Sequence, residues 1–178
     1  MYQANPLISD KSGHSPLHWA SYFGMASTVE ALLNAGVDIN VRNNSEETAL
    51  HWAAENGQMK SLKLLLKRGA RLHVYDGRGE TPFHKAVMMN HLKCVALFLE
   101  AGESVHHPTK SGELPLEISG DMSVGSLLMQ EGAEVTESGW GFVLHKVSVA
   151  LSPLLSYIGY VLVFILLVCL FTLSAEEP

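Results

Sequence analysis

Three histidines, His18, His51 and His84, are each 33 residues apart, and the same step separates Gly36, Gly69 and Gly102. Gly24, Gly57 and Asn90 follow it too. Around the histidines the chain reads Ser15-Pro16-Leu17-His18-Trp19-Ala20, Thr48-Ala49-Leu50-His51-Trp52-Ala53 and Thr81-Pro82-Phe83-His84-Lys85-Ala86. A fourth copy, Leu114-Pro115-Leu116-Glu117-Ile118-Ser119, comes one step later with Glu117 in the histidine position. From there to Gly132 the copy is three residues short. A fixed period of this length means that one small unit is stacked repeatedly, each unit burying its apolar face on the next.

Within the unit each residue type has a physical reason. Ser or Thr before the first apolar stretch caps a helix by accepting a free backbone N–H. Proline at the first helical position gives up no useful donor. Gly or Asn between two helices takes the left-handed conformation. In the second helix Val29, Leu32 and Leu33 recur as Leu62, Leu65 and Leu66, then as Val95, Phe98 and Leu99, an i, i+3, i+4 stripe. The hairpin tips between units are Asp10-Lys11-Ser12-Gly13, Asn43-Asn44-Ser45-Glu46, Asp76-Gly77-Arg78-Gly79 and Thr109-Lys110-Ser111-Gly112.

Period, tetrapeptide and both glycine positions together resemble the ankyrin repeat, whose hallmark is T-P-L-H-x-A every 33 residues. The resemblance implies an all-α solenoid of helix–turn–helix units with β-hairpin tips. It divides the chain into 12–44, 45–77 and 78–109 as repeats one to three, and 110–136 as a degenerate fourth that serves as a C-terminal cap. Residues 1–11 align with the tail of a preceding repeat and form an N-terminal arm. Either Met1 is an internal start of a longer product, or a partner covers the first helix pair; both stay open.

Apolar residues make up 47% of the chain, and they are concentrated between Val147 and Leu173. The 23 residues Leu151–Leu173 carry no charge. As a helix they would be about 34 Å long, enough to cross a bilayer core of about 30 Å. This segment reads as one transmembrane helix, with 137–150 as a juxtamembrane linker and 174–178 as a C-terminal tail. Lys146 precedes the segment and no Lys or Arg follows it, so the positive-inside rule places the repeats in the cytosol. Met1-Tyr2-Gln3-Ala4-Asn5-Pro6 has no basic or apolar signal-peptide region. The arrangement resembles tail-anchored membrane proteins. A long, very apolar segment with an acidic flank favours the endoplasmic reticulum and secretory membranes over the mitochondrial outer membrane. Ser148, Ser152 and Ser156 share one helix face, a spacing that lets two such helices approach, and a homodimer through the anchor is the expectation they raise. Pro153 is placed to kink the helix, and Trp140 and Phe142 to sit at the interface or on the last repeat.

Net charge is -6, which lacks the basic footprint that nucleic-acid binding needs. Cys94 and Cys169 form no disulfide framework. Among the nine histidines, the three at the repeat step are read as bonding neighbouring backbone. His14, His91, His106 and His107 are near turns, with no Cys or carboxylate partner at ligand spacing. No catalytic, cofactor or metal residues are expected, and no enzyme.

Ankyrin repeats offer a surface, and the resemblance assigns partner binding to hairpin tips and the exposed ends of first helices. The matching positions are Lys11, Ser12, His14, Tyr22 and Phe23; Asn44, Ser45, Glu47, Glu55 and Asn56; and Arg78, Glu80, Met88 and Met89. Tyr22-Phe23 and Met88-Met89 stand where many ankyrin proteins have polar pairs, and exposed aromatics and Met suit a protein-binding hot spot. Lys60, Lys63, Lys67, Arg68 and Arg71 form a basic cluster, read as a solvated helix face, with anionic headgroups as the alternative contact. The function expected is a membrane-anchored, non-enzymatic adaptor that binds a protein of unknown identity. The rivals are a fragment of a larger ankyrin membrane protein (the regulatory region of a channel or acyltransferase) and a competitive regulator of an ankyrin ligand.

Overall fold

A computed structural model describes residues 8–133. Among them the chain forms four helix pairs: α1 Pro16–Tyr22 with α2 Ala26–Asn34, α3 Ala49–Glu55 with α4 Met59–Lys67, α5 Pro82–Met88 with α6 Leu92–Glu100, and α7 Pro115–Ile118 with α8 Met122–Gln130. First helices stack on first helices, α1 on α3 on α5 on α7, and second helices stack likewise. The transmembrane reading of Leu151–Leu173, the linker, Ser148, Ser152, Ser156, Pro153, Trp140, Phe142 and Cys169 all lie outside the described residues. Among the described residues no helix is long and apolar enough to cross a membrane.

Each first helix starts where the sequence placed its cap. Ser15, Thr48 and Thr81 are the N-cap residues, in extended conformation. Their own N–H groups donate to Nδ1 of His18, His51 and His84 at 3.1, 3.0 and 3.1 Å. The far ring nitrogen, Nε2, then donates to a carbonyl in the tip or loop that leads into the next repeat: Glu47, Glu80 and His107, at 3.0, 3.3 and 2.8 Å. Because Nδ1 accepts and Nε2 donates, the neutral Nε2–H tautomer is fixed in all three. One imidazole therefore closes its own helix cap and ties its repeat to the next. In the fourth repeat Glu117 Oε2 accepts the N–H of Leu114 at 2.8 Å. A carboxylate takes over the capping half of the role, but it has no proton for the onward bond.

The core runs between the two helix layers. Leu17, Leu50, Phe83 and Leu116 are buried from the first helices, and Val29, Leu62, Leu65, Val95, Phe98, Val124 and Leu128 from the second. The third member of the stripe, Leu33, Leu66 or Leu99, is only half-buried, so the buried seam is narrower than the pattern suggested.

The expected β-hairpin tips are turns, and no strand is present among the described residues. The backbone N–H of Asp10, Asn43, Asp76 and Thr109 closes each tip onto the carbonyl four residues on, at 3.0, 3.0, 2.9 and 2.9 Å. Inside the turn, Oδ1 of Asp10, Asn43 and Asp76 accepts two further N–H groups each. With the side chain taking donors that a strand ladder would use, pairing stops after one step. Neighbouring tips are joined by single backbone bonds instead: Asn44 N to Ser12 O at 3.0 Å, Gly77 N to Ser45 O at 2.8 Å and Lys110 N to Gly79 O at 2.9 Å.

Gly57, between α3 and α4, has φ +64°, and a Cβ built there would lie 2.8 Å from Nδ1 of His91. That ring is itself fixed, its Nε2 donating to the Glu55 carbonyl at 2.9 Å. Gly57→Ala should therefore destabilise the fold by at least about 1–2 kcal/mol from backbone strain, measured as a lower urea midpoint. Asn90, the matching residue one repeat on, also has positive φ, 57°.

Candidate functional site

The exposed ends of α1, α3 and α5 line up on one face, and five aromatic rings collect there. Trp19 and Trp52 meet edge to face at 5.2 Å, and Tyr22 sits 5.7 Å from Trp52. Phe23 stacks on Trp19 at 6.2 Å, and His14 closes the cluster 4.7 Å from Trp52. Phe23 is 62% exposed, while Trp19, Tyr22, Met88 and Met89 are also open to solvent. A groove of about 480 Å³ runs over this cluster, lined by Trp19, Tyr22, Glu47, Trp52, Glu55, Asn56 and Met89.

Glu47 and Asn56 are fixed at the groove wall. Glu47 Oε2 accepts from the Trp52 indole at 2.9 Å and from Asn43 Nδ2 at 2.8 Å. Burial works to raise the Glu47 pKa, but those two bonds and the charge of Lys85 hold it below the usual carboxylate range. Glu47 is therefore an anion at the groove wall. Asn56 donates to the Trp52 carbonyl at 2.9 Å, which orients its amide. Two carboxylates, Glu47 and Glu55, thus border exposed indole and phenol faces, an arrangement that attracts cationic side chains.

Of the fourteen surface residues expected from sequence, Tyr22, Glu47, Glu55, Asn56 and Met89 share this groove. His14 and Phe23 belong to the aromatic cluster beside it. Lys11, Ser12, Asn44, Ser45 and Arg78 are exposed on the hairpin tips, outside the groove. Glu80 lies in the third tip, where its carboxylate is 2.7 Å from Lys85 Nζ. Met88 is exposed at the end of α5 but does not line the groove. Trp19 and Trp52, the floor of the site, were missed. They stand at the variable position of T-P-L-H-x-A, and the signal was available in their recurrence one repeat apart.

Two other readings change. Of the basic cluster, Lys60, Lys63, Lys67 and Arg71 are exposed, but Arg68 is tied to α2, 2.9 Å from Glu30 and 3.0 Å from Asn34. Two of the histidines said to lack a carboxylate partner have one. His14 Nδ1 is 2.9 Å from Asp10 Oδ2. His107 lies in a cluster with His73 and Glu103. Each carboxylate lies four residues before its histidine in the same loop, a spacing the sequence offered, and only His73 reaches the second pair from the preceding repeat.

A solenoid of helix pairs with an open aromatic groove on its first-helix face defines the class of repeat-built interaction modules. Residues 2–76 match the family model for ankyrin repeats in three copies, and residues 78–110 match the ankyrin repeat model. The chain belongs to the ankyrin-repeat family. A comparison with curated proteins found no match.

Proposed function

We propose that this protein is a non-enzymatic adaptor that captures a protein partner in the aromatic groove and holds it at a membrane. The carrying observation is the exposed cluster of Trp19, Tyr22 and Phe23 packed over the buried Trp52 and bordered by Glu47 and Glu55. Water-exposed aromatic surface of this kind is retained at a cost in solubility unless a partner covers it. Ankyrin repeats support protein–protein interaction as the general role. The chemistry of the groove adds that the partner inserts an Arg or Lys side chain, whose charge meets the indole faces and the two carboxylates.

The membrane part of the proposal comes from Leu151–Leu173, uncharged and long enough to span. An anchor raises the local concentration of whatever the groove holds. Lys146 orients the repeats toward the cytosol, and the endoplasmic reticulum or secretory membranes are the proposed location. Self-association through Ser148, Ser152 and Ser156 is part of the same proposal.

The test is proximity labelling from the intact chain in cells, beside two variants. One carries Tyr22→Ala, Phe23→Ala, Met88→Ser and Met89→Ser; the other lacks residues 151–173. The groove variant should lose the principal labelled partners while staying in the membrane fraction. The deletion should move to the soluble fraction. An unchanged partner set in the first variant would remove the groove from the proposal, and membrane retention of the second would remove the anchor.

A further inference from the structure

The third repeat departs from the other three at a position that should be apolar. The residue after the glycine that ends the second helix is Val37, Ala70 or Ala133 in the other repeats, all buried. In the third repeat it is Glu103, only 6% exposed. Four residues on, where the first two repeats have Val41 and Val74, the third has His107. Both alkyl positions have become metal-ligand residue types, and both lie beside His73 of the preceding repeat. Nδ1 of His73 is 3.4 Å from Oε1 of Glu103. The rings of His73 and His107 are 4.4 Å apart. One ligand atom from each of the three side chains lies within 4.8 Å of the others.

The hydrogen bonds around this cluster leave one oxygen of Glu103 and one ring nitrogen of His107 open. Oε1 of Glu103 accepts the N–H of Ser104 at 3.0 Å, while Oε2 is buried without a hydrogen-bond partner. A buried carboxylate oxygen with nothing to accept is costly, so its retention calls for a ligand. The Tyr75 hydroxyl donates its single proton to the Pro108 carbonyl at 3.1 Å. It can then only accept from His107, so the 3.1 Å contact to Nε2 is an Nε2–H donor bond. That fixes the tautomer and leaves Nδ1 of His107 with a free lone pair. The His107 backbone is also held, since its carbonyl accepts from His84 Nε2 at 2.8 Å. A ligating imidazole whose other nitrogen is bonded to an orienting group is the usual outer arrangement of a metal site.

We infer that His73, Glu103 and His107 bind a divalent transition-metal ion, with zinc the best fit to two imidazoles and one carboxylate. Zinc takes such a set with three protein ligands and one open position. Its bond lengths place ligand atoms about 3.3 Å apart in a tetrahedron. His73 and Glu103 are already near that spacing at 3.4 Å, and all three ligand atoms lie within 4.8 Å of one another. The ion would neutralise Glu103 and clamp the loop of repeat two to that of repeat three.

Full-length chain in detergent micelles is titrated with zinc chloride by calorimetry, beside His73→Gln, Glu103→Ala, His107→Gln and the neighbouring control His106→Gln. Glu103→Ala installs the residue that the second and fourth repeats carry, so it preserves the fold. Expected is one zinc per chain with a Kd on the order of micromolar, weakened by at least about tenfold in each of the three ligand variants and unchanged in the control. Cobalt should give d–d absorption without a thiolate charge-transfer band. The absence of stoichiometric zinc binding would overturn the assignment. So would affinity lost in fewer than three of the ligand variants, loss in His106→Gln, or a thiolate band.

Discussion

Lys85→Met should lower the stability of the fold by about 3–5 kcal/mol, the cost of leaving buried charges without their partner. Lys85 stands where the first two repeats carry Trp19 and Trp52. It is 2% exposed, with Nζ 3.1 Å from Asp76 Oδ2 and 2.7 Å from Glu80 Oε2. Burial works against its charge, but the bonds to Glu80 and Asp76 outweigh that and raise its pKa. Asp76 is also buried and orders the third tip through the N–H groups of Arg78 and Glu80. Methionine keeps the stem volume and removes only the charge, so the loss is electrostatic rather than a packing defect. The measurement is urea unfolding at neutral pH, where the midpoint should fall with little change in slope. Arg42→Ala is the contrast. Its pair with Glu46 is 46% and 56% exposed, and the loss there should stay below about 1 kcal/mol. Equal effects in the two variants would show that the buried pair is not what holds the third tip.

Acid should destabilise the protein over an unusually high pH window, beginning near pH 6.5. His18, His51 and His84 are fully buried, and burial lowers the pKa of each, that of His51 to about 4. For His51 the carboxylates of Asp76 and Glu47 and the Glu80 carbonyl favour protonation, while Lys85 opposes it; burial prevails. The unfolded chain takes up protons at an ordinary imidazole pKa of about 6.5. Below that pH it therefore binds more protons than the folded chain, and folding free energy is lost as pH falls. The contribution is complete above about 6.5 and gone for His51 by about 4. For this one residue the loss amounts to about 3 kcal/mol. Carboxylates with lowered pKa, Asp76 and Glu47, act the same way but only below about pH 4. A series of urea midpoints from pH 8 to 4 separates the two. The decline should start near 6.5, and His51→Gln should start lower but fall less steeply. A flat series down to pH 5 would mean that the buried imidazoles accept protons freely and do not carry the repeat junctions.

The stacking architecture was legible because it depends on local chemistry repeated at a fixed step. Ser15, Thr48 and Thr81 cap helices, and Val29, Leu62 and Val95 mark the stripe, whatever lies far away in the sequence. The junction histidines were legible too, as backbone binders, although not the carbonyl each would find. The groove was only half legible. Tyr22 and Met89 drew notice as departures from a polar pattern, whereas Trp19 and Trp52 stood at a motif position that tolerates any residue. Lys85 was hidden at that same position, since nothing local distinguishes a buried, paired lysine from an exposed one. The His73, Glu103 and His107 cluster escaped for another reason: its members come from two repeats, and although Glu103 and His107 both break an alkyl series of the repeat, nothing local brings His73 to them.

The sequence by itself therefore determined the repeat unit, its capping chemistry and the family, because these follow from residues a few positions apart and their recurrence. It also carries the uncharged run from Leu151 to Leu173, on which the proposed anchor depends. Tertiary structure alone decided which side chains meet across the stack. It placed five aromatic rings around one groove, set Lys85 between two carboxylates, and brought His73 to Glu103. These contacts form between residues about one repeat apart or from separate elements of a repeat. They depend on how the helix pairs are superposed, which no local pattern specifies.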